Sequence, residues 1–336
     1  MKIEDVWREL ESEATRTSGK WLTRLARPDP GTLLLVAVDG ETGARTLLLP
    51  CSPDSLPPRG RWPVTNGLDV FRIALDGIEY VAVRLRDSSA SAVFSALGQD
   101  IAERVSLQST PAGALATALE RIRRWQQFLS ASTELSPEAQ RGLWAELHVL
   151  LNHLIPAVGA VAAAEAWQAA SGAHQDFRFA GGAIEAKCTA GKPPPRVRVT
   201  SERQLDDCGV GLLFLHVVIV DERDVPSTPE VSGSTLPDII EATRRAVSDD
   251  SAARALLDDR LLEAGWLDIR SPLYSSRRWA VRQELSFAVT DGFPRLTEKS
   301  LPTGIGSVSY ELDLGSCADF SITTNRMISL IASLKG

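Results

Sequence analysis

Between residues 174 and 188 the chain reads HQDFRFAGGAIEAKC, which packs four charged side chains, Asp176, Arg178, Glu185 and Lys187, into two short runs around a Gly181-Gly182 pair. If the two glycines form a two-residue hairpin turn, Asp176 stands opposite Lys187 and Arg178 opposite Glu185, with all four on one face. Strand alternation then sends Phe177, Phe179, Ile184, Ala186 and Cys188 to the other face, which is apolar enough to be a core. Glu185 and Lys187, two residues apart on a strand, have Cα atoms about 6.5 to 7 Å apart on the same side. Two carboxylates from adjacent strands, Asp176 and Glu185, are the hard oxygen ligands Mg2+ prefers, with positions left for water and a phosphate. A lysine beside them can hold or deprotonate an attacking water whose pKa the metal has lowered. Two cross-strand salt bridges on an exposed sheet face, worth about 0.2 to 1 kcal/mol each, would produce the same pattern.

A third carboxylate tilts the balance. In RGLWAELHVLL, residues 141 to 151, a rotation of 100° per residue puts Leu150, Leu143, Leu154 and Leu147 within about 100° of Glu146 on one side and Val149 about 60° away on the other. Glu146 therefore points partly inward, where a carboxylate needs a cationic partner or carries a raised pKa. The plain alternative is an acid at the edge of the apolar stripe that reaches water. Gly142, one turn earlier, leaves room for another backbone or a ligand. Gln204 ends Ser201-Glu202-Arg203-Gln204, a capping-box pattern that explains it structurally. His148, His153, His174 and His216 show no metal-ligand spacing; His216, inside an apolar run, reads as a satisfied core histidine, and none is assigned to a metal. The chain has no Walker loop and no GxSxG elbow, and Gly304-Ile305-Gly306 lacks the rest of a dinucleotide fingerprint.

The elements that must position these residues follow from pattern. A helix starts at Ser136-Pro137-Glu138, with a side-chain cap and proline at its first position, and runs to about His153. An alanine-rich helix (about 161 to 170), the quoted hairpin, the strand VRVTS, a short helix around Gln204 and GLLFLHVVIV, a strand covered on both faces, complete an α/β unit. Upstream, a short amphipathic helix is followed by two hairpins, TLLLVAVDGETGARTLLLP and LDVFRIALDGIEYVAVRLR, the second with Asp76-Gly77 at its centre. Helices from about 90 to 105 and 111 to 129 connect to the α/β unit. DERDVPSTPEVSGST (221 to 235) reads as a linker, with two helical patterns and strands such as RRWAVRQELSFAV beyond it.

With 44% apolar and 24% charged residues among 336, the chain can bury a substantial core. Cys51, Cys188, Cys208 and Cys317 lie far apart with no CxxC pair, which argues against a zinc knuckle or a disulfide framework and for reduced, buried small residues. The first residues are acidic where a signal peptide would be basic and then apolar, and no stretch reaches the roughly 18 apolar residues of a membrane span; a cytoplasmic location and no membrane partner are expected. A net charge of −7 gives no overall attraction to nucleic acid, so such a partner needs a local basic surface. From 177 to 203 six bases, Arg178, Lys187, Lys192, Arg196, Arg198 and Arg203, face two acids, Glu185 and Glu202, which makes either that surface or an ordinary solvated face.

The order of a helix with Glu146, a strand with Asp176, Glu185-Ala186-Lys187 and then Gln204 resembles the PD-(D/E)XK nuclease superfamily. The flanks GLWAEL, DF, IEAK and SERQL, with RRWQQFL and DGFPRL further out, are similar to a bacterial family of PD-(D/E)XK motif proteins found near restriction and phage-defence genes. Gln175 stands where the superfamily's name has proline, which is not a ligand. The resemblance implies an α/β fold: a restriction-endonuclease-like αβββαβ core with a mixed central sheet flanked by helices over 133–222, a β-rich N-terminal domain with connecting helices over 1–132, and an α+β C-terminal region over 223–336. It implies that Asp176 and Glu185 hold Mg2+ (or Mn2+), that Glu146 supports the metal or the lysine, that Lys187 assists the nucleophilic water, and that Gln204 positions the nucleotide backbone or the site. The function expected is Mg2+-dependent DNA endonuclease activity in restriction or phage defence, with RNA open as a substrate and other proteins of a defence operon as partners. The rivals are a catalytically inactive member that binds DNA or scaffolds a defence complex, and a structural α/β protein with an ion-paired sheet. Oligomeric state is unknown from sequence.

Overall fold

A computed structural model describes residues 2–14, 20–26, 34–52, 67–130, 134–169, 173–191, 194–224 and 233–334. The chain divides into two compact units, Met1–Ser132 and Thr133–Gly336.

In the first unit an antiparallel sheet runs in the order β1 (Leu22–Leu25), β2 (Leu35–Val38), β3 (Arg45–Pro50), β5 (Ile78–Leu85), β4 (Leu68–Leu75). Both expected hairpins form. Asp76 and Gly77 turn with φ of 51° and 81°, the left-handed pair that a type I′ turn requires. Helix α1 (Ile3–Ala14) buries Ile3, Val6, Trp7 and Leu10, and Trp7 Nε1 donates to Ala37 O at 3.2 Å. The helices α2 (Ser91–Val105) and α3 (Pro111–Ser130) match their expected ranges within a residue. Arg45 is buried between two carboxylates, 2.7 Å from Glu4 and 2.6 Å from Glu11.

The second unit is built on a five-stranded mixed sheet in the order β12 (Ser321–Ile322), β10 (Arg277–Ala288), β9 (Leu212–Asp224), β7 (Gly182–Thr189), β6 (Phe177–Phe179). Only β7 and β9 pair in parallel. One face packs on α4 (Pro137–Val149), its continuation through a π-turn (Leu150–Leu154), α5 (Ile155–Val158) and α6 (Ala160–Ala166), and on α7 (Leu236–Ala246), α8 (Ser251–Glu263) and α9 (Thr324–Ser333). Leu143, Leu147, Leu150 and Leu154 there meet Phe177, Ile184, Phe214 and Val218. The other face, with Ala183, Leu213, Leu215 and Val217, is covered by a two-stranded sheet of β8 (Arg196–Val199) and β11 (Tyr310–Asp313). Burial on both faces explains why β9 is an almost unbroken apolar run.

Several expectations need correction. No helix forms around Gln204: residues 202–205 make a turn, and Ser201 Oγ accepts from the Arg203 N–H, not from residue 204. The αβββαβ order is thus interrupted, and β8 leaves the central sheet for β11. The expected boundary at 222/223 falls inside β9, and β10 from beyond it pairs along β9, so 133–336 shares one sheet. Most of the expected linker, 225–232, lies outside the described residues, and its first residues, Asp221 to Asp224, are strand. The four cysteines are free, but Cys208 is exposed and only Cys317 is fully buried.

Candidate active site

The hairpin that opens the site forms with its register moved by two residues. Phe177 pairs with Ile184, Arg178 with Ala183 and Phe179 with Gly182, so the turn is Ala180-Gly181. Gly181 has the positive φ (84°), while Gly182 is already in the strand, where an added Cβ would meet Leu334 Cδ1 at 2.5 Å. A shift of two keeps every side chain on its expected face. It changes the partners, however: continued by one step, the register sets Asp176 across from Glu185, carboxylate facing carboxylate, and Arg178 faces Ala183 instead of Glu185. Phe177, Ile184 and Ala186 belong to the helix-side core as expected.

Because β6 starts at Phe177, the middle of β7 has no further strand beside it. The Ala186 N–H, on that open edge, donates instead to Asp176 Oδ2 at 2.8 Å. Gln175 helps hold the aspartate's segment: it is 4% exposed, and its Nε2 donates to Arg203 O at 3.0 Å and, more weakly, to the carbonyls of Gln204 and Asp206. Glu146 comes from the middle of α4 and accepts from Trp167 Nε1 at 2.8 Å. Trp167 itself bridges to Phe177, next to Asp176. Gly142 faces open space, with nothing within 4 Å of an added Cβ, so no backbone uses the room it leaves.

Glu185 is fully buried, and Lys187 Nζ lies 2.6 Å from its Oε1. The ammonium is held at Oε1, and Oε2 has no hydrogen-bond partner among the described residues. Burial, then the charge of Asp176, raises the Glu185 pKa well above the carboxylate range, against the pull of Lys187. Glu146 and Asp176 keep some contact with solvent, but protein crowds their carboxyls. Burial and the Asp176 charge push Glu146 up to about 8, opposed by the Trp167 N–H and Lys187. Asp176 is raised by burial despite Lys187 and the Ala186 N–H. Burial works against the Lys187 ammonium, but the charges of Glu185, Asp176 and Glu146 together hold its pKa above the usual lysine value. The four groups form one electrostatic cluster of three carboxyls and a single ammonium.

The donor set, carboxylate oxygens of Asp176, Glu185 and Glu146, is of the kind a hard divalent cation takes. Oε2 of the fully buried Glu185 lacks the partner that buried polar atoms normally have. A surplus of carboxyls over cations, each pushed toward protonation, is the charge deficit that a hard cation with oxygen ligands would fill.

Gln204 stays outside the cluster. Its Oε1 accepts from Thr200 N at 2.8 Å and Thr200 Oγ1 at 3.1 Å, which makes it a cap of the 200–204 turn. The basic stretch is partly compensated: Lys187 pairs with Glu185, Arg196 faces Glu311 and Asp313, and Arg203 pairs with Glu298, while Arg198 bonds the neutral Ser309. Lys192 lies outside the described residues. Gln175, marked in the sequence only as standing where the superfamily's name has proline, is the residue that ties the Asp176 segment to the 203–206 turn.

Residues 3–315 match the family described as "Putative PD-(D/E)XK family member". The chain belongs to this family. The match spans both units, so the β-rich first unit is part of what defines the family. No curated protein and no solved structure matches the chain. Family membership points to a nuclease-type hydrolase, a class that usually works with divalent metals. Among the described residues no helix is long and apolar enough to cross a membrane.

Proposed function

We propose that the protein is a Mg2+-dependent DNA endonuclease that hydrolyses backbone phosphodiesters in bacterial restriction or phage defence. The observation that carries this reading is the fully buried Glu185, ion-paired through Oε1 with Lys187, with no hydrogen-bond partner for Oε2 and with the charge of Asp176 acting on it. Asp176 and Glu185 would hold Mg2+ or Mn2+, with Glu146 as a third carboxylate. A bound divalent cation supplies Lewis-acid stabilisation of charge on the phosphate and lowers the pKa of bound water. The Ala186 N–H fixes the Asp176 carboxylate, and the Trp167 N–H fixes that of Glu146, so neither has to be ordered when substrate arrives. Lys187, held protonated by its acidic neighbours, is placed to donate to a phosphate oxygen or to hold the attacking water. Gln204 is left a structural part, as the turn it caps accepts from Gln175 next to Asp176.

DNA is the substrate we favour, with RNA open; a defence-operon protein as targeting partner and a cytoplasmic setting belong to the same proposal. The test is cleavage of plasmid and linear DNA by purified protein with Mg2+ or Mn2+. EDTA should stop cutting, and Asp176→Ala and Lys187→Ala should abolish it while leaving the fold intact. If wild type and variants bind DNA equally and none cuts, the chain is a DNA-binding member of its family instead.

A further inference from the structure

The sheet's helix-covered face carries a second polar cluster, on the side opposite Glu185 and Lys187. His148 on α4, His153 in the π-turn, His216 on β9 and Glu284 on β10 converge there. Glu284 Oε1 is the hub, 2.6 Å from His148 Nε2, 3.0 Å from His153 Nε2 and 3.9 Å from His216 Nε2. One ligand atom each from His148, His153 and Glu284 lies within 4.8 Å of the others.

Two departures from regular structure build this convergence. On a straight α-helix, residues five apart lie about 140° around the axis from each other. The π-turn, closed by Ile155 N–H donating to Leu150 O, brings His153 beneath His148. Pro156 belongs to the cause, because it has no N–H to give Asn152 O and so cannot extend the α ladder. On β10 a bulge at Val281/Gln283 shifts the register against β9 by one residue. Glu284, across from Val218, thereby turns to the helix side together with Trp279; without the extra residue it would point to the other face.

His216 shows that the cluster is incomplete as a hydrogen-bond network. It is wholly buried; its Nδ1 bonds Ser286 Oγ at 2.9 Å, and its Nε2 has no partner. In one tautomer Nε2 is a lone pair aimed at a carboxylate; in the other it is an N–H whose nearest carboxylate oxygen, at 3.9 Å, is beyond bonding reach. A cation between the four groups removes the conflict in the first tautomer. Ligand atoms about 2.05 Å from a tetrahedral Zn2+ lie roughly 3.3 Å apart; here the three histidine nitrogens lie 2.6 to 3.9 Å from Glu284 Oε1, and the ligand atoms of His148, His153 and Glu284 all lie within 4.8 Å of one another. Outer partners are also present. Ser286, bonded onward to Thr324, can accept from His216 Nδ1–H. Asn152 Nδ2 lies 3.0 Å from His148 Nδ1, so a metal on His148 Nε2 requires the amide to flip and present Oδ1 to the Nδ1–H.

We infer that His148, His153, His216 and Glu284 form a structural site for a zinc-like transition-metal cation, clamping α4 to β9 and β10. His148 follows Glu146 by two residues, and His216 pairs with Ala186, between Glu185 and Lys187. The clamp therefore braces α4, which carries Glu146, and β9, the strand that pairs with β7 beside Glu185 and Lys187. It is independent of whether that site cleaves DNA.

The test is equilibrium binding of Zn2+ and of Co2+ to the metal-stripped full-length protein, with the visible absorption of Co2+ as the report of coordination. The inference expects one tightly held equivalent with a tetrahedral Co2+ spectrum, retained in Asp176→Asn and weakened at least about tenfold in His153→Gln and in Glu284→Gln. Wild-type protein that holds no stoichiometric Zn2+ or Co2+ overturns it without any variant. So does binding that survives both substitutions in the cluster or is lost in Asp176→Asn.

Discussion

Glu146 makes a measurable demand on the metal-free protein. Its carboxyl is pushed up to about 8 in the folded state, from 4.5 when exposed. A raised carboxyl pKa means that the native state holds a proton the unfolded chain has released, so stability is fully present below about pH 4.5 and falls as pH rises toward 8. One proton is worth about 1.4 kcal/mol per pH unit. Between pH 5.5 and 7.5 the uptake difference averages about 0.9 proton, which gives a loss of about 2.5 kcal/mol. For a unit of roughly 200 residues that is about 5 to 10 °C in Tm. Glu146→Gln keeps an acceptor for Trp167 and has no proton to release, so it should lack this component. Thermal unfolding in EDTA across the two pH values, wild type against Glu146→Gln, reads the difference directly. Parallel pH dependences would refute the buried, proton-loaded carboxyl. Saturating Mg2+ at pH 7.5, about 100 times its Kd, should return about 2.7 kcal/mol to the wild type and less to the variant.

Two further outcomes follow from particular contacts. Trp167→Phe removes the one N–H that Glu146 accepts from a side chain, and should weaken metal-dependent cleavage about 10- to 100-fold with little change in DNA affinity, read by kinetics and a binding titration. Arg45→Met removes the buried guanidinium from the partly exposed carboxylates of Glu4 and Glu11 and should cost about 1 to 2 kcal/mol in denaturant unfolding; no measurable loss would mean that solvent fully screens both ion pairs.

How far the sequence could be read depended on how local each signal was. The Asp76-Gly77 hairpin and the apolar run of β9 were legible because a turn dipeptide and two-sided burial write themselves into a few adjacent residues. Which face Asp176, Glu185 and Lys187 share was legible for the same reason, since alternation needs only parity. Their register was not: Gly181-Gly182 offers two turns of equal length, and the side chains that crowd Gly182, Ile331 of α9 and Leu334 just beyond it, lie far away in sequence. The serine and glutamine around residue 202 do cap backbone N–H groups, but of a turn, one residue earlier than a helix would need. The histidine cluster escaped because its members come from four elements and meet only through a π-turn and a bulge. Pro156 in an otherwise helical run was the one local hint.

Everything proposed for catalysis rests on a cation among Asp176, Glu185 and Glu146. The most direct measurement is an anomalous difference map from crystals of the protein soaked in Mn2+. The account predicts a peak between the carboxylates of Asp176 and Glu185, within reach of Glu146 and absent in Asp176→Asn. A map with no peak there, with Glu185 still paired to Lys187 at saturating Mn2+, would contradict it.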